Sequence, residues 1–255
     1  MKWDDDAIVL STRPHGETAV VAQLLTRDHG RHAGLVRGGQ NARLKGILQA
    51  GNLVRVVWSG RLAEHLGSFQ CELVKSYAAA VMDDPDRLAA LASAAAVCEG
   101  SLPEREPQAS CYSGLIALFD ALDGEHWAEV YVRWEIGLLA ALGFGLDLTR
   151  CAGGGDNDQL GYVSPKSGRA VSLSAGAPYR ERLLPLPTFL VGRGQGGKGE
   201  VADGLALTGY FLDRHIFHPH DRAMPKARQR LTERFAEFAQ GQAKGDKVTP
   251  TEQGL

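Results

Sequence analysis

Hydrophobic positions in the first third of the chain recur with the period of strands. Ala7 to Ser11 is a short apolar strand, and Thr12-Arg13-Pro14-His15-Gly16 is a turn, because proline fixes φ and glycine frees it. Thr18 to Thr26, rich in Val and Leu, reads as a second strand, and Asp28-His29-Gly30 turns the chain into a third near Arg31 to Arg37. Leu53 to Ser59 alternates as a fourth, ended by Gly60, and Glu64 to Val74 gives a fifth. Five short strands joined by tight turns predict a small closed barrel of OB-fold size over residues 1–80. The basic, glycine-rich stretch Gly38 to Gln49 interrupts the alternation and is expected to be a mobile loop or short helix over the barrel.

After Tyr77 the pattern becomes helical. Asp83-Asp84-Pro85-Asp86 is a start signal, since aspartate caps free N–H groups and favours the positive end of the helix dipole; that helix runs to about Cys98. Pro103 and Pro107 mark a linker, followed by helices at Ala109 to Leu122 and Glu125 to Leu142. Trp127, Tyr131, Trp134, Leu138 and Leu142 recur at helical spacing and form a core-facing stripe. Gly161 to Ser164 and Arg169 to Leu173 flank Pro165-Lys166-Ser167-Gly168, which predicts a β-hairpin inserted at about 150–177. A helix near Arg180 to Leu184, a glycine-rich loop from Gly192 to Gly199, and helices near Glu200 to Phe217 and Pro225 to Gln240 complete a helical domain, 81–240. The polar tail, 241–255, is expected to be disordered. The fold class is therefore α+β, a barrel followed by helices.

Composition bounds the possibilities. With 255 residues, 44% of them hydrophobic, the chain can bury a sizeable core. Its longest apolar stretches, such as Ile136 to Leu142, are far too short to span a bilayer, so no membrane association is expected. The acidic start Met1-Lys2-Trp3-Asp4-Asp5-Asp6 lacks the character of a secretory signal, which makes a cytoplasmic location the default. Cys71, Cys98, Cys111 and Cys151 include no CxxC pair and are expected as free thiols. Net charge is only −2, yet Arg27, Arg31, Arg37, Arg43, Lys45, Arg55 and Arg61 face a single acid, Asp28, between the first and last of them. A small β module with a positive face suits a polyanion, although surface cations are often simply solvated.

Signals for catalysis are weak. Gly192-Arg193-Gly194-Gln195-Gly196-Gly197 matches GxGxxG with Asp213 downstream, but Pro185 and Pro187 precede it and Asp213 falls in a helical run, contrary to a dinucleotide fold. Gly197-Lys198-Gly199 lacks the Ser or Thr of a P-loop. His215, His218 and His220 cluster at a helix end that Pro219 terminates, where histidine is favoured by the dipole alone. No GxSxG elbow is present, and an enzymatic reading has no positive support. Trp58, Phe69 and Tyr77 are aromatics of the basic module that fit base stacking or core equally well.

The run from Ile8 to Arg61, through Gly16-Glu17, Thr26 to Gly30 and Arg37-Gly38-Gly39, resembles the RecO family of DNA repair proteins. Leu142-Gly143-Phe144, Leu146-Asp147-Leu148, Cys151, the stretch Phe211 to Phe217, and Pro225, Arg228 and Leu231 extend the resemblance. It implies an N-terminal OB-fold, a helical domain and a zinc-finger-like hairpin. It also implies a recombination mediator that binds single- and double-stranded DNA, anneals complementary strands, and works with RecR to load RecA onto DNA coated by single-stranded-DNA-binding protein. The acidic, apolar C-terminal tail of that coating protein would dock on the helical domain, for which Arg133 beside the aromatic stripe is a candidate rim residue. In some members two CxxC pairs in the hairpin hold zinc; here only Cys151 remains, so no metal and no cofactor are expected, and Tyr162, Val163, Val171 and Leu173 should hold the hairpin by packing. Expected phosphate contacts are Arg27, Arg31, Arg37, Arg43, Lys45, Arg55 and Arg61, with Lys166, Arg169, Arg222, Lys226 and Arg228 as a weaker second patch. An RNA-binding relative or a protein-interaction module is the rival class.

Overall fold

The computed structural model describes residues 1–154, 159–194 and 196–245. Strands β1 (Lys2–His15), β2 (Ala19–Thr26), β3 (Arg31–Val36), β4 (Leu53–Ser59) and β5 (Ser68–Lys75) form a closed barrel in the order β1-β2-β3-β5-β4. Helix α1 (Ala42–Ile47) lies between β3 and β4, and the seam closes through a parallel bridge from Leu35 to Ser68. This is the OB-fold arrangement.

β1 is far longer than the expected Ala7 to Ser11. Asp4-Asp5-Asp6 and Pro14 mask it, being poor strand formers, but pairing overrides propensity: residues 2–8 bond to β4 and residues 7–15 to β2. The turn accordingly moves to residues 16–18, where Gly16 adopts φ 61°. Between residues 7 and 10 the strand is buried on both faces. Ala7 and Val9 point into the barrel with Leu24, Val54, Val56 and Trp58, whereas Ile8 and Leu10 face outward and join the helical core with Leu25. The barrel wall is thus one wall of the second domain.

That domain contains α2 (Tyr77–Ala80), α3 (Pro85–Ser101), α4 (Ala109–Ala121), α5 (Trp127–Ala141), α6 (Leu173–Gly176), α7 (Lys198–Leu212) and α8 (Lys226–Gly245). Asp84 caps α3 as expected, accepting from the N–H groups of Asp86 and Arg87, with Pro85 in the first turn. The inserted hairpin is the larger part of a three-stranded sheet, β6 (Leu160–Val163), β7 (Ala170–Ser172) and β8 (Leu184–Pro185), ordered β7-β6-β8. Val163 and Val171 are buried in it and Tyr162 is half-buried, but Leu173 opens α6 and stays 43% exposed, so it contributes less packing than expected. A 3-10 turn, Ala177–Arg182, stands where a helix near Arg180 to Leu184 was predicted. The helix expected to reach Phe217 leaves α geometry at Asp213: a π turn, Asp213–Phe217, gives way to a 3-10 turn, His218–His220, at Pro219. α8 continues to Gly245, beyond the expected start of the disordered tail; the rest of that tail, 246–255, lies outside the described residues. No helix among the described residues is long and apolar enough to cross a membrane.

The helices are pinned by a buried ion pair. Glu135 of α5 is 0% exposed and Arg228 of α8 is 1% exposed. The guanidinium grips the carboxylate through two bonds, Nε to Oε1 at 2.5 Å and Nη2 to Oε2 at 2.8 Å. Arg228 Nη2 also donates to the Leu205 carbonyl of α7 at 2.8 Å, and Thr208 of α7 donates to Glu135 Oε2 at 2.5 Å. Burial opposes the charge on Arg228, but the charge and hydrogen bonds of Glu135 outweigh it and raise the guanidinium above its ordinary value. Arg228 is therefore a structural tie, and its predicted role as a DNA contact is corrected by its inaccessibility.

Breaking one partner strands the other in a dry interior. Arg228→Ala is expected to lower stability by about 3–5 kcal/mol, while the apolar pair Glu135→Leu with Arg228→Met restores most of the loss. Urea unfolding measures both, and a double variant no more stable than the single one would refute the assignment.

Candidate nucleic-acid interface

The segment between β3 and β4 is built as a small fixed shelf. Gly38 turns the chain at φ 68°, and the Asn41 side chain caps α1 by accepting from Leu44 N at 2.8 Å. Gln40 Nε2 donates to the carbonyls of Gly16 and Ala19, both at 3.0 Å, tying the shelf to the β1–β2 turn. A Cβ on Gly39 would sit 2.5 Å from Val20 Cγ2, so only glycine allows this approach. Of the two expectations, a mobile loop or a short helix, the short helix is what forms, bonded in place through Gln40 and Asn41. Arg37, Arg43 and Lys45 project from this shelf, all exposed and none ion-paired among the described residues. Beside them a groove of about 530 Å³ runs over β4 and β5, lined by Arg37, Leu44, Ser59, Ser68, Gln70 and Cys71. Burial pushes the Cys71 thiol up to about 12, which makes it a wall rather than a nucleophile.

The other barrel cations differ. Arg31 is a strut: its Nε donates to Leu102 O at 2.9 Å, and its Nη1 meets Glu104 at 3.2 Å and Gln23 at 3.3 Å. It joins the barrel to the linker after α3 and is corrected from phosphate contact to domain tie. Arg55 pairs with Asp6 at 2.9 Å and Asp4 at 3.7 Å; Arg27 pairs with Asp28 at 3.2 Å, Asp6 at 3.6 Å and Asp5 at 3.9 Å. Apart from Asp28 these acids lie outside the basic window in sequence, and the β1–β4 register places Asp6 opposite Arg55. Arg61 is exposed without an ion pair among the described residues. In the second patch, Lys166 and Lys226 are exposed, Arg169 pairs with Asp147 at 3.6 Å, and Arg222 donates to Gly100 O at 3.0 Å.

Of the two readings left open for Trp58, Phe69 and Tyr77, base stacking or core, the structure gives the core, at 1%, 3% and 4% exposure. Sequence reasoning missed the ring that does reach the barrel surface. Trp3 stacks on His29 at 4.0 Å and on Trp58 at 5.6 Å, hidden in the sequence by the acidic run that follows it.

The glycine-rich segment at Gly192 follows a 3-10 turn, Thr188–Val191, and not a strand, and Gln195 within it lies outside the described residues. Thr188 is held by the Glu200 carboxylate through N–H and Oγ1 at 3.0 and 2.9 Å. The histidines do not converge: His215 stacks on Phe144, whereas His220 Nδ1 meets Ile216 O at 2.9 Å. A zinc ion does not fit the hairpin. Cys151 is its one thiol, and Cys151 Sγ already accepts from Ser172 N and Gly153 N, both at 3.3 Å. The Ser172 hydroxyl in turn accepts from Ala175 N at 3.3 Å. Hydrogen bonds thus bridge the two strands of chain that a metal would otherwise join.

On the helical domain a cavity of about 380 Å³ opens between α4 and α5. Cys111, Gly114, Leu118, Trp134, Gly137 and Leu138 supply a largely apolar wall, and Arg133 stands at its edge, donating to Phe189 O with its guanidinium 5.5 Å from the Phe189 ring. Arg133, which the sequence leaves as either a rim residue or an ordinary surface charge, thus borders a cavity.

The family models described as Recombination protein O N terminal and Recombination protein O C terminal match residues 1–77 and 82–223. The chain is 60% identical over 237 residues to a DNA repair protein RecO of Rhodospirillum centenum, covering 92% of this chain and 95% of that protein. It is 51% identical over 247 residues to its namesake in Rhodospirillum rubrum, with 94% and 98% covered. A DNA repair protein RecO of Methylobacterium nodulans is 50% identical over 236 residues, with 90% and 96% covered. These names describe repair, not a catalysed reaction.

Purified protein is expected to carry well under one zinc per chain by mass-spectrometric metal analysis. Stoichiometric zinc would overturn the hydrogen-bonded account of the hairpin.

Proposed function

Since the chain belongs to the RecO family of DNA repair proteins, we propose that it is a recombination mediator that binds single- and double-stranded DNA on its barrel and anneals complementary strands. The observation that carries this reading is the set Arg37, Arg43 and Lys45, unpaired among the described residues and held on a fixed shelf beside an open groove. Each can neutralise a phosphate without first giving up an internal partner, whereas Arg27 and Arg55 must exchange theirs. Arg61, in the turn after β4, is likewise exposed and without an ion pair among the described residues.

The protein works with RecR in the cytoplasm, at the nucleoid, to load RecA onto DNA coated by single-stranded-DNA-binding protein. The acidic, apolar tail of the coating protein occupies the cavity between α4 and α5, with its carboxylates near Arg133. The chemistry supports this: an apolar pocket with one cation at its lip matches a peptide that ends in apolar residues and negative charge.

Replacing Arg37, Arg43 and Lys45 together by Ala should weaken binding to single-stranded DNA and reduce the slope of log affinity against log salt by about 2, as three phosphate contacts disappear. An unchanged slope in a fluorescence titration would remove the shelf as the contact surface. Gly137 lines the cavity with open space where a Cβ would go, so Gly137→Leu fills the pocket and raises helix propensity. A synthetic tail peptide should bind this variant at least about tenfold more weakly by calorimetry while DNA binding persists; equal peptide affinity would place the tail elsewhere.

A further inference from the structure

An exposed aromatic ring and unpaired charge also meet on the helical domain. Phe144 follows α5 in an exposed Gly-Phe-Gly stretch and is 38% exposed. Its ring lies parallel to His215, with centroids 4.8 Å apart and 11° between planes. His215 stacks in turn on buried Phe211 at 6.0 Å and 8°. The three rings thus run from core to solvent and end on Phe144. The π turn that begins at Asp213 carries His215 into this line, and π turns are frequent at functional sites.

Cations border the stack. Arg214 donates to Pro165 O at 3.0 Å and Tyr210 Oη at 2.8 Å, which fixes the hairpin turn against the π turn. Asp147 N donates to Gly168 O at 3.0 Å, which fixes the other side of that turn to the chain after Phe144. Lys166, at the tip, is exposed and has no ion pair among the described residues; Arg169 beside it is half-exposed and shares Asp147. The Trp3–His29 stack on the barrel has the opposite surroundings, since Asp5 holds His29 at 3.1 Å and Asp4 and Asp6 lie on the same strand. There the acids offset the nearby Arg27 and Arg55, so a phosphate finds no unopposed cation, whereas at Phe144 it meets Lys166.

A single strand asks for a π surface for a base and cations for its backbone. A protein partner asks instead for a broad apolar area, which one ring among charges does not supply. We propose that the Phe144–His215 stack, with Lys166 and Arg214, is a second binding site for single-stranded DNA. It holds the strand complementary to the one on the barrel, and in that respect it rests on the annealing reading above.

Full-length protein, Phe144→Leu and Lys166→Ala test this, with thermal melts confirming that each variant is folded. Phe144→Leu retains apolar bulk but removes the ring. It should slow annealing of complementary oligonucleotides about tenfold, and affinity for one strand, set by the barrel, should change little. Lys166→Ala should reduce the rate by a smaller factor and weaken its salt dependence. Oligonucleotides carrying 5-iododeoxyuridine should photocrosslink to the peptide containing Phe144 or His215 in wild-type protein, as read by mass spectrometry. Wild-type annealing by Phe144→Leu, with crosslinks confined to residues 1–77, would overturn the second site alone. A wild-type protein that neither binds nor anneals DNA would overturn both this site and the function it rests on.

Discussion

A carboxylate and a guanidinium are stable in a protein interior only as each other's partner, and the helical domain is organised around one such pair. Glu135 and Arg228 meet where α5, α7 and α8 come together, and Thr208 and the Leu205 carbonyl complete their hydrogen bonding. Every surface of interest on this domain is referred to that point. α5 presents Glu135 to the interior and Arg133, Trp134 and Gly137 to the cavity beside α4. α7 presents Thr208 to the same pair and, a turn later, Phe211 to the ring stack. A bidentate pair fixes direction as well as distance, so these helices cannot slide or rotate without exposing an unpaired charge to an apolar interior.

The barrel is joined to this frame by sharing a wall rather than by a flexible tether. Ile8, Leu10 and Leu25 belong to the helical core although they lie on barrel strands, and Arg31 adds a polar strut to Leu102 and Glu104. At Gly30, a Cβ would lie 2.1 Å from Glu106 O, so the linker runs flush against the β2–β3 turn. The outer surface of β1 and β2 is consequently occupied near its centre. What remains open for a ligand is the shelf of α1 and the groove over β4 and β5.

Most elements were legible in the sequence because their periodicity was strong. The stripe on α5 is the clearest case: Tyr131, Trp134 and Leu138 are buried as their spacing required. β1 was only partly legible, since three aspartates and a proline are poor strand formers and only pairing with two neighbours makes them extended. The site was less legible still. Counting charge along a window found seven cations and one acid, but strand pairing brings Asp4 and Asp6 from outside that window onto Arg55 and Arg27. Arg228 looked like a surface cation because its partner lies 93 positions away. No local pattern reveals a buried pair of that separation, and no local pattern distinguishes the strut Arg31 from the solvent-facing Arg37.

These distinctions matter because the chain is not a basic protein. With a net charge of −2 it exerts no long-range attraction on DNA as a whole, and affinity has to come from cations that are locally unopposed. A cation already paired with a carboxylate gains little by meeting a phosphate, since one anion replaces another and few counterions are released. The useful charge is therefore much smaller than the charge in the sequence. On the barrel it is concentrated on Arg37, Arg43, Lys45 and Arg61, while the acidic strand β1 neutralises the flank that carries Arg27 and Arg55. On the proposed reading, such a division would set the unopposed cations of the shelf toward an approaching strand, while the wall of β1 and β2 holds the two domains together.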